Sequence, residues 1–434
     1  MFKLLLPWLD RLFISVTTAF ESLWLTARSK RSANMADDEP APIYALPSPR
    51  YEEHLTIPVR DKAPDDTAWR AAQERGQFLA RQERWEDLAR EMRQADEKRE
   101  CTPGGVPIAE LLAFGARSDV VLAAEHALRE ERAPRDGALI EGIKGLEIAR
   151  RELGNDPHMS ALVAQAHLDI GWAWRGETGQ DEIAPLNRKR CRAHFERATK
   201  LMAPFNGLEL DSPMVAATQC ALLVGQADAG ARVSDDYEDL IDLDPNNHRH
   251  MRALGCHLLP RWFGTYDELE LQARRTAART QDIWGAGGYT WVYFDAMALD
   301  EVACEQVDLD FFIDGLHDII STHPEQEMIN LLAAFCAVAI RQGEGISALA
   351  DQNRAEIADC ANWLIRDHLT EVHPMVWAHA LTGFDNNLRV TSVNRFAARG
   401  KRFALQAIGE LFCEEIGRGA HITFTPQGPR YDAT

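Results

Sequence analysis

From Asp66 onward nearly every stretch of this chain carries its apolar residues at helical spacing, and such a pattern can be buried only by packing helix on helix. Trp69, Ala72 and Leu79 line one side of a first helix, and Trp85, Leu88 and Met92 one side of the next. Glycine, proline or Asp/Asn clusters ("CTPGG", "GNDP", "LDPNN", "STHP", "RQGEG") interrupt the pattern at intervals that suit helices of three to five turns. Alternating apolar stretches are scarce, the clear one being His421 to Thr425, just before "PQGPR". Helices joined by short turns become antiparallel neighbours. The sequence therefore predicts an all-α chain with a short β-like tail.

The ends divide differently. Residues 1–34 begin MFKLLLPWLDRLFISVTTAFESLWL, where Leu5, Leu9, Leu12, Phe13, Val16, Phe20 and Trp24 share one helical face. Asp10, Arg11 and Glu21 interrupt the apolar run, which stays short of the roughly 18–20 residues a bilayer span needs. An amphipathic helix lying on a membrane surface or on a partner is one reading, and Arg28, Lys30 and Arg31 would suit an anionic inner leaflet. The alternatives are docking on its own chain, or translation starting at Met35. Residues 35–65 hold Pro40, Pro42, Pro47, Pro49, Pro58 and Pro64, too dense for a helical ladder, and read as a linker. Residues 66–420 then form the helical domain and 421–434 the tail.

Self-similarity separates a repeat array from an ordinary bundle. In "SDDYEDLIDLDPNNHRHMRALGCHLLP", Tyr237, Leu240 and Pro245 take the aromatic, small and proline places of one helix, and Met251, Leu254, Gly255 and Leu258 take the first-helix places of the next repeat in the same register. Phe195, Ala198 and Pro204 repeat the pattern after Ile170, Gly171 and Trp174. Phe312, Leu316, Ile319 and Pro324, followed by Ala333 and Ala334, repeat it more weakly. At these positions the chain resembles the tetratricopeptide-repeat-like superfamily, best over residues 160–260. Its proline spacing is nearer 40 residues than the family's ~34, and "RGETGQDEIAPLN" reads as an insertion within one hairpin.

The resemblance implies a right-handed solenoid of antiparallel helix pairs with a concave groove that takes a peptide or a partner helix. Carried over position by position, the groove residues are Gln165, Leu168, Trp172 and Arg175 from one repeat, and Arg249, Arg252 and Cys256 from another, with Asn246 and Asn247 in the turn before it. Arginine beside asparagine suits a carboxylate, so an acidic peptide or carboxy-terminal segment is the expected ligand. The implied role is an adaptor or scaffold in the cytoplasm, with a peripheral place at the inner face of the membrane if residues 1–31 act as an anchor. An enzyme with a site assembled across helices is the rival, and a membrane-associated assembly factor the third.

Chemistry-bearing motifs give the enzyme little support. The formal net charge of −20 weighs against a general nucleic-acid binder. No phosphate-binding loop is present, and "GAGG" at residues 285–288 lacks the dinucleotide spacing and reads as a helix start. There is no G-x-S-x-G and no H-E-x-x-H. No cofactor, metal or catalytic residue is expected. His248, His250, Cys256 and His257 lack zinc-ligand spacing, and His368, His373 and His379 are split by Pro374. Asp235–Asp236 and Asp308–Asp310 stand where helices start. The eight scattered cysteines, none in C-x-x-C spacing, read as small core residues. Two basic runs, Arg188, Lys189, Arg190, Arg192 and Arg197, then Arg395, Arg399, Lys401 and Arg402, read as solvated faces with ion pairs. The Ala- and Arg-rich composition suggests a bacterium of high genomic GC.

Overall fold

The computed structural model of the chain describes residues 51–129, 137–176, 183–226, 228–341, 347–382 and 392–433. The expected amphipathic helix at 1–34 and the first part of the proline-rich segment lie outside them, as does part of the expected insertion. Among the described residues the protein is overwhelmingly helical, and no helix is long and apolar enough to cross a membrane. Residues 66–420, read from sequence as one helical stretch, fall into two compact units. Among the described residues, the first holds those within 67–250 and 260–264, and the second those within 51–66, 251–259 and 265–433.

The first unit carries α1 (Pro64–Arg81, from Thr67 onward), α2 (Trp85–Glu97), α3 (Ile108–Arg129), α4 (Gly137–Glu152), α5 (Pro157–Arg175), α6 (Pro185–Met202), α7 (Pro213–Leu222), α8 (Val233–Leu243) and the start of α9 (His248–His257). Local chemistry sets several starts. The Asp156 carboxylate accepts from the backbone N–H groups of His158 and Met159, with Pro157 in the first turn. Ser212 caps α7 in the same way, followed by Pro213. Helix α5 is buried on most of its circumference and packs on α3, α4, α6 and α7. Its contacts therefore include the next helix but one in both directions. Leu162, Val163, Met159 and Ala198 are fully buried in this core.

Helices α1 and α3 cross with no side chain between them. A Cβ on Gly76 would stand 2.0 Å from the Leu112 carbonyl oxygen, and one on Gly115 would stand 1.9 Å from that of Gln73. Only glycine at both places lets the two backbones touch.

The second unit holds the end of α9, then α10 (Tyr266–Arg279), α11 (Gln281–Trp284), α12 (Gly287–Leu299), α13 (Glu301–Gln306), α14 (Leu309–Thr322), α15 (Gln326–Ala334), α16 (Ala348–Asp359), α17 (Ala361–Trp363), α18 (Pro374–Thr382), α19 (Val393–Leu411) and α20 (Cys413–Gly417). Thr265 caps α10, its hydroxyl accepting from Glu268 N–H and meeting the Glu268 carboxylate at 3.3 Å. Helix α12 is the buried centre, with Trp291, Tyr293 and Phe294 at 0% exposure, and packs on α10 and α14. Two π-helical stretches, Phe335–Ala339 and Leu364–His368, interrupt the α-helical ladder. The β-like tail is a hairpin, β2 (Ala420–Thr425) and β3 (Gly428–Ala433), and a two-residue strand β1 (Leu55–Thr56) joins it in parallel, in the order β1-β2-β3.

Candidate functional site

The groove residues expected from sequence divide by what their side chains already hold. Gln165 accepts from Arg117 Nη1 at 3.0 Å and donates to Thr218 Oγ1 at 2.9 Å, so it stitches α5 to α3 and α7. Leu168 is buried. Asn247, 2% exposed, pairs its Nδ2 with His250 Nε2 at 3.0 Å, and its Oδ1 accepts from Arg249 N–H at 3.2 Å. Arg249 lies 3.7 Å from Glu110. Arg252 grips both oxygens of Asp295, at 3.0 and 2.9 Å, with its guanidinium 4.9 Å over the Phe294 ring. Asn246 is exposed. Trp172 and Arg175 are brought together: Trp172 is 38% exposed, its ring set edge-on against Phe195, and the Arg175 guanidinium stands 5.8 Å over it.

The basic runs also separate. Arg197 holds Glu147 with two hydrogen bonds, and Arg190 stands 5.9 Å over Trp174. On α19, Arg399 and Arg402 both stand over Phe403, at 5.8 and 5.7 Å. Burial, then the charge of Arg402, pushes the Arg399 guanidinium below its ordinary range.

One buried trio has the residue types of a hydrolase but not its wiring. Asp96 Oδ2 takes hydrogen bonds from His158 Nε2, at 2.9 Å, and from the Ser212 hydroxyl, while its Oδ1 accepts from Met214 N–H at 3.0 Å. A nucleophilic serine must hand its proton to the imidazole. Here serine and histidine share the carboxylate, so the trio ties α2 and α5 to the start of α7.

A dense set of titratable groups in the second unit forms around His373. The loop that carries it leaves the π-helical stretch at His368 and is bound to α15 by two amides one turn apart. Gln326 donates to the His368 carbonyl at 2.9 Å, and its own oxygen accepts from Thr370 and Glu371 N–H. Asn330, fully buried, donates to the carbonyls of Gln326 and Glu371 and accepts from His373 N–H and Trp377 Nε1–H, both at 2.9 Å. The loop thus sets His373, 3% exposed, between two carboxylates: Nδ1 is 2.6 Å from Glu327 and Nε2 is 3.0 Å from Glu371. An imidazole donating from both nitrogens is an imidazolium. Burial pushes its pKa down, but the hydrogen bonds and charges of Glu327 and Glu371 outweigh it and leave it above the ordinary 6.5. Burial raises Glu327 against the pull of His373. In Glu371 the bonds from His373 and Arg60 overcome burial and lower it. Asp66, at the start of α1, is lifted to about 6 by burial and by the charges of Glu327 and Asp65. Asp66 therefore keeps its proton up to pH of about 6, and His373 keeps its own above the ordinary 6.5.

Asn330 is the joint of this arrangement. The Asn330→Ala variant leaves two buried N–H groups without acceptors and two carbonyls short of a donor. At about 1–3 kcal/mol for each unsatisfied group, thermal unfolding should show a loss of roughly 3 kcal/mol or more. A loss below about 1 kcal/mol would mean the loop does not depend on this amide.

From the sequence only His373 stood out, as one of a loose set of histidines. His379 is half-buried and pushed down to about 4 by desolvation, and His368 packs edge-on against Trp363. Glu327, Glu371, Asn330 and Asp66 were missed. The one signal was the Gln326, Glu327 and Asn330 spacing, which puts two amides on one face of a helix. Among the described residues no group of three or more His, Cys, Asp or Glu side chains has the geometry to hold a metal ion. All eight cysteines are free, with Cys220, Cys304, Cys336 and Cys360 buried. Compared with known proteins, the chain matches no family model, no curated protein and no solved structure.

Proposed function

We propose that the chain is a protein-binding scaffold of tetratricopeptide-like helix pairs whose ligand is an acidic peptide, met by Trp172 and Arg175 near the end of α5. The packing of α5 on both α3 and α7 carries this reading. Stacked hairpins make such next-but-one contacts between their first helices. Gly171 fits the same scheme, since a Cβ there would stand 3.2 Å from the Phe195 ring on α6. A half-exposed tryptophan under a guanidinium matches the residue types that dominate binding energy at interfaces, and arginine selects a carboxylate.

The test begins with capture of partners from the source cells by the full-length chain. Acidic segments of the captured proteins are then synthesised as peptides and titrated by fluorescence anisotropy. Trp172→Ala and Arg175→Glu should each weaken binding by roughly tenfold or more, and added salt should weaken it further. Equal affinity for the parent and both variants would remove the reading. Charge reversal at Arg252 is no such test, because it would break the pair with Asp295.

A further inference from the structure

The tail hairpin leaves β3 at an edge of the sheet, since the strand order is β1-β2-β3. The pairing of β3 with β2 is unbroken, from Ala420–Ala433 to Thr425–Gly428 across the turn Pro426–Gln427. In a hairpin with two residues in its loop the closing pair exchanges backbone hydrogen bonds, and bonded and non-bonded pairs then alternate. Thr425–Gly428, Thr423–Arg430 and His421–Asp432 are therefore the bonded pairs. Pro429, Tyr431 and Ala433 turn their backbone groups the other way, out from the sheet. Proline falls at a place where its missing N–H costs the ladder nothing. Tyr431 lays its ring 6.1 Å from that of Phe412 and its hydroxyl accepts from Arg366 at 3.2 Å, yet it stays 51% exposed. Among the described residues no backbone group outside the hairpin bonds to Tyr431. Such an open row of backbone groups is a template for another strand.

We propose that β3 is a dimer edge, pairing antiparallel with β3 of a second copy of this chain about a two-fold axis at Tyr431. The charges carry the choice of occupant. Arg430 and Asp432 flank Tyr431 with opposite signs, and both are exposed on the face of the sheet away from Phe412. With the axis at Tyr431, Arg430 stands opposite the partner's Asp432, and Asp432 opposite the partner's Arg430. These are non-bonded pairs, in which side chains approach closest, with about 4.5–5.5 Å between Cβ atoms. Tyr431 exchanges both of its backbone bonds with the partner's Tyr431, and Ala433 N–H reaches the partner's Pro429 carbonyl.

The same charges exclude the neighbouring registers. Moving the axis one residue either way sets Arg430 opposite the partner's Arg430, or Asp432 opposite the partner's Asp432, and like charges directly opposite repel. Charges that would blunt the edge toward other strands therefore select one register with a second copy. A copy of this chain carries the complementary pair by symmetry, which an unrelated strand does not.

Sedimentation equilibrium of the full-length chain reads the pairing. Mean mass should rise toward that of a dimer between about 1 and about 500 μM, as suits a small interface. Arg430→Glu and Asp432→Arg should each weaken the dimer roughly tenfold or more, because both cross-strand pairs then oppose like charges. An equimolar mixture of the two variants should dimerise again, since each new side chain faces its opposite on the other chain. The mixture keeps the test decisive, because two damaged chains would not recover together. Hydrogen exchange in residues 428–433 of the parent should slow as concentration rises. A parent that stays monomeric, which would leave the edge to an extended strand of another protein, would overturn the pairing. So would an undiminished dimer in either single variant, a mixture no tighter than its components, or exchange in β3 that ignores concentration.

Discussion

Replacing Arg252 with alanine is expected to cost about 3 kcal/mol of stability and to lower the thermal midpoint by roughly 6–12 °C. The guanidinium side chain is 6% exposed, grips both oxygens of Asp295 and lies over Phe294. Alanine leaves the Asp295 carboxylate, 19% exposed, without its counter-ion in a largely dry setting, and removes the packing over the ring. Losing one member of a buried pair is costly because the other stays charged and unpaired, whatever the pair is worth as a whole. Arg252→Lys keeps the charge but not the two-pronged geometry, and should fall between parent and alanine. Circular dichroism melts of the three chains check this, and a midpoint unchanged in Arg252→Ala would show that Asp295 is solvated on its own.

An alanine at Gly76 or Gly115 should have an effect opposite to its helix propensity. In an isolated helix the change gains about 1 kcal/mol. Here the new Cβ would sit 2.0 or 1.9 Å from a carbonyl oxygen of the crossing helix, so α1 and α3 must separate. Overpacking of this kind costs about 1–3 kcal/mol or more. Because the obstacle is backbone, no rotamer relieves it, and a net loss of about 2 kcal/mol or more is expected for each variant. The double variant should lose clearly less than the sum. Once the helices have moved apart for one Cβ, the second finds space already made. Additive losses would show that the two glycines act independently, and a gain in either single variant would show that the helices do not touch there.

The helical class was legible because apolar period survives whatever the tertiary contacts are. Tyr237 and Leu240, placed by pattern on one helix, are 3% and 1% exposed. Gly255, placed where a small residue was wanted, would put a Cβ 1.8 Å from the Val292 carbonyl oxygen. Side-chain partnerships were not legible, since nothing local encodes them. Arg252 was singled out as a carboxylate binder, and it does bind one, but the carboxylate is Asp295 of its own chain, 43 residues away. His373 finds Glu327 across 46 residues, and Asn330 finds Trp377 across 47. The π-helical stretches were equally hidden, because a change of backbone hydrogen-bond register leaves no mark on the spacing of apolar residues.

The three-stranded sheet sets an order on biosynthesis. Its first strand is made at residues 55–56 and its partner at residues 420–425, and Thr56 meets His421 across 365 positions. The first unit is almost continuous in sequence, so its helices have their neighbours as soon as residues 67–264 have left the ribosome. Strand β1 must wait, unpaired, until the far hairpin emerges. Truncation just before Ala420 would leave Leu55 and Thr56 without the strand they lie against, while every helix of the first unit would still be present.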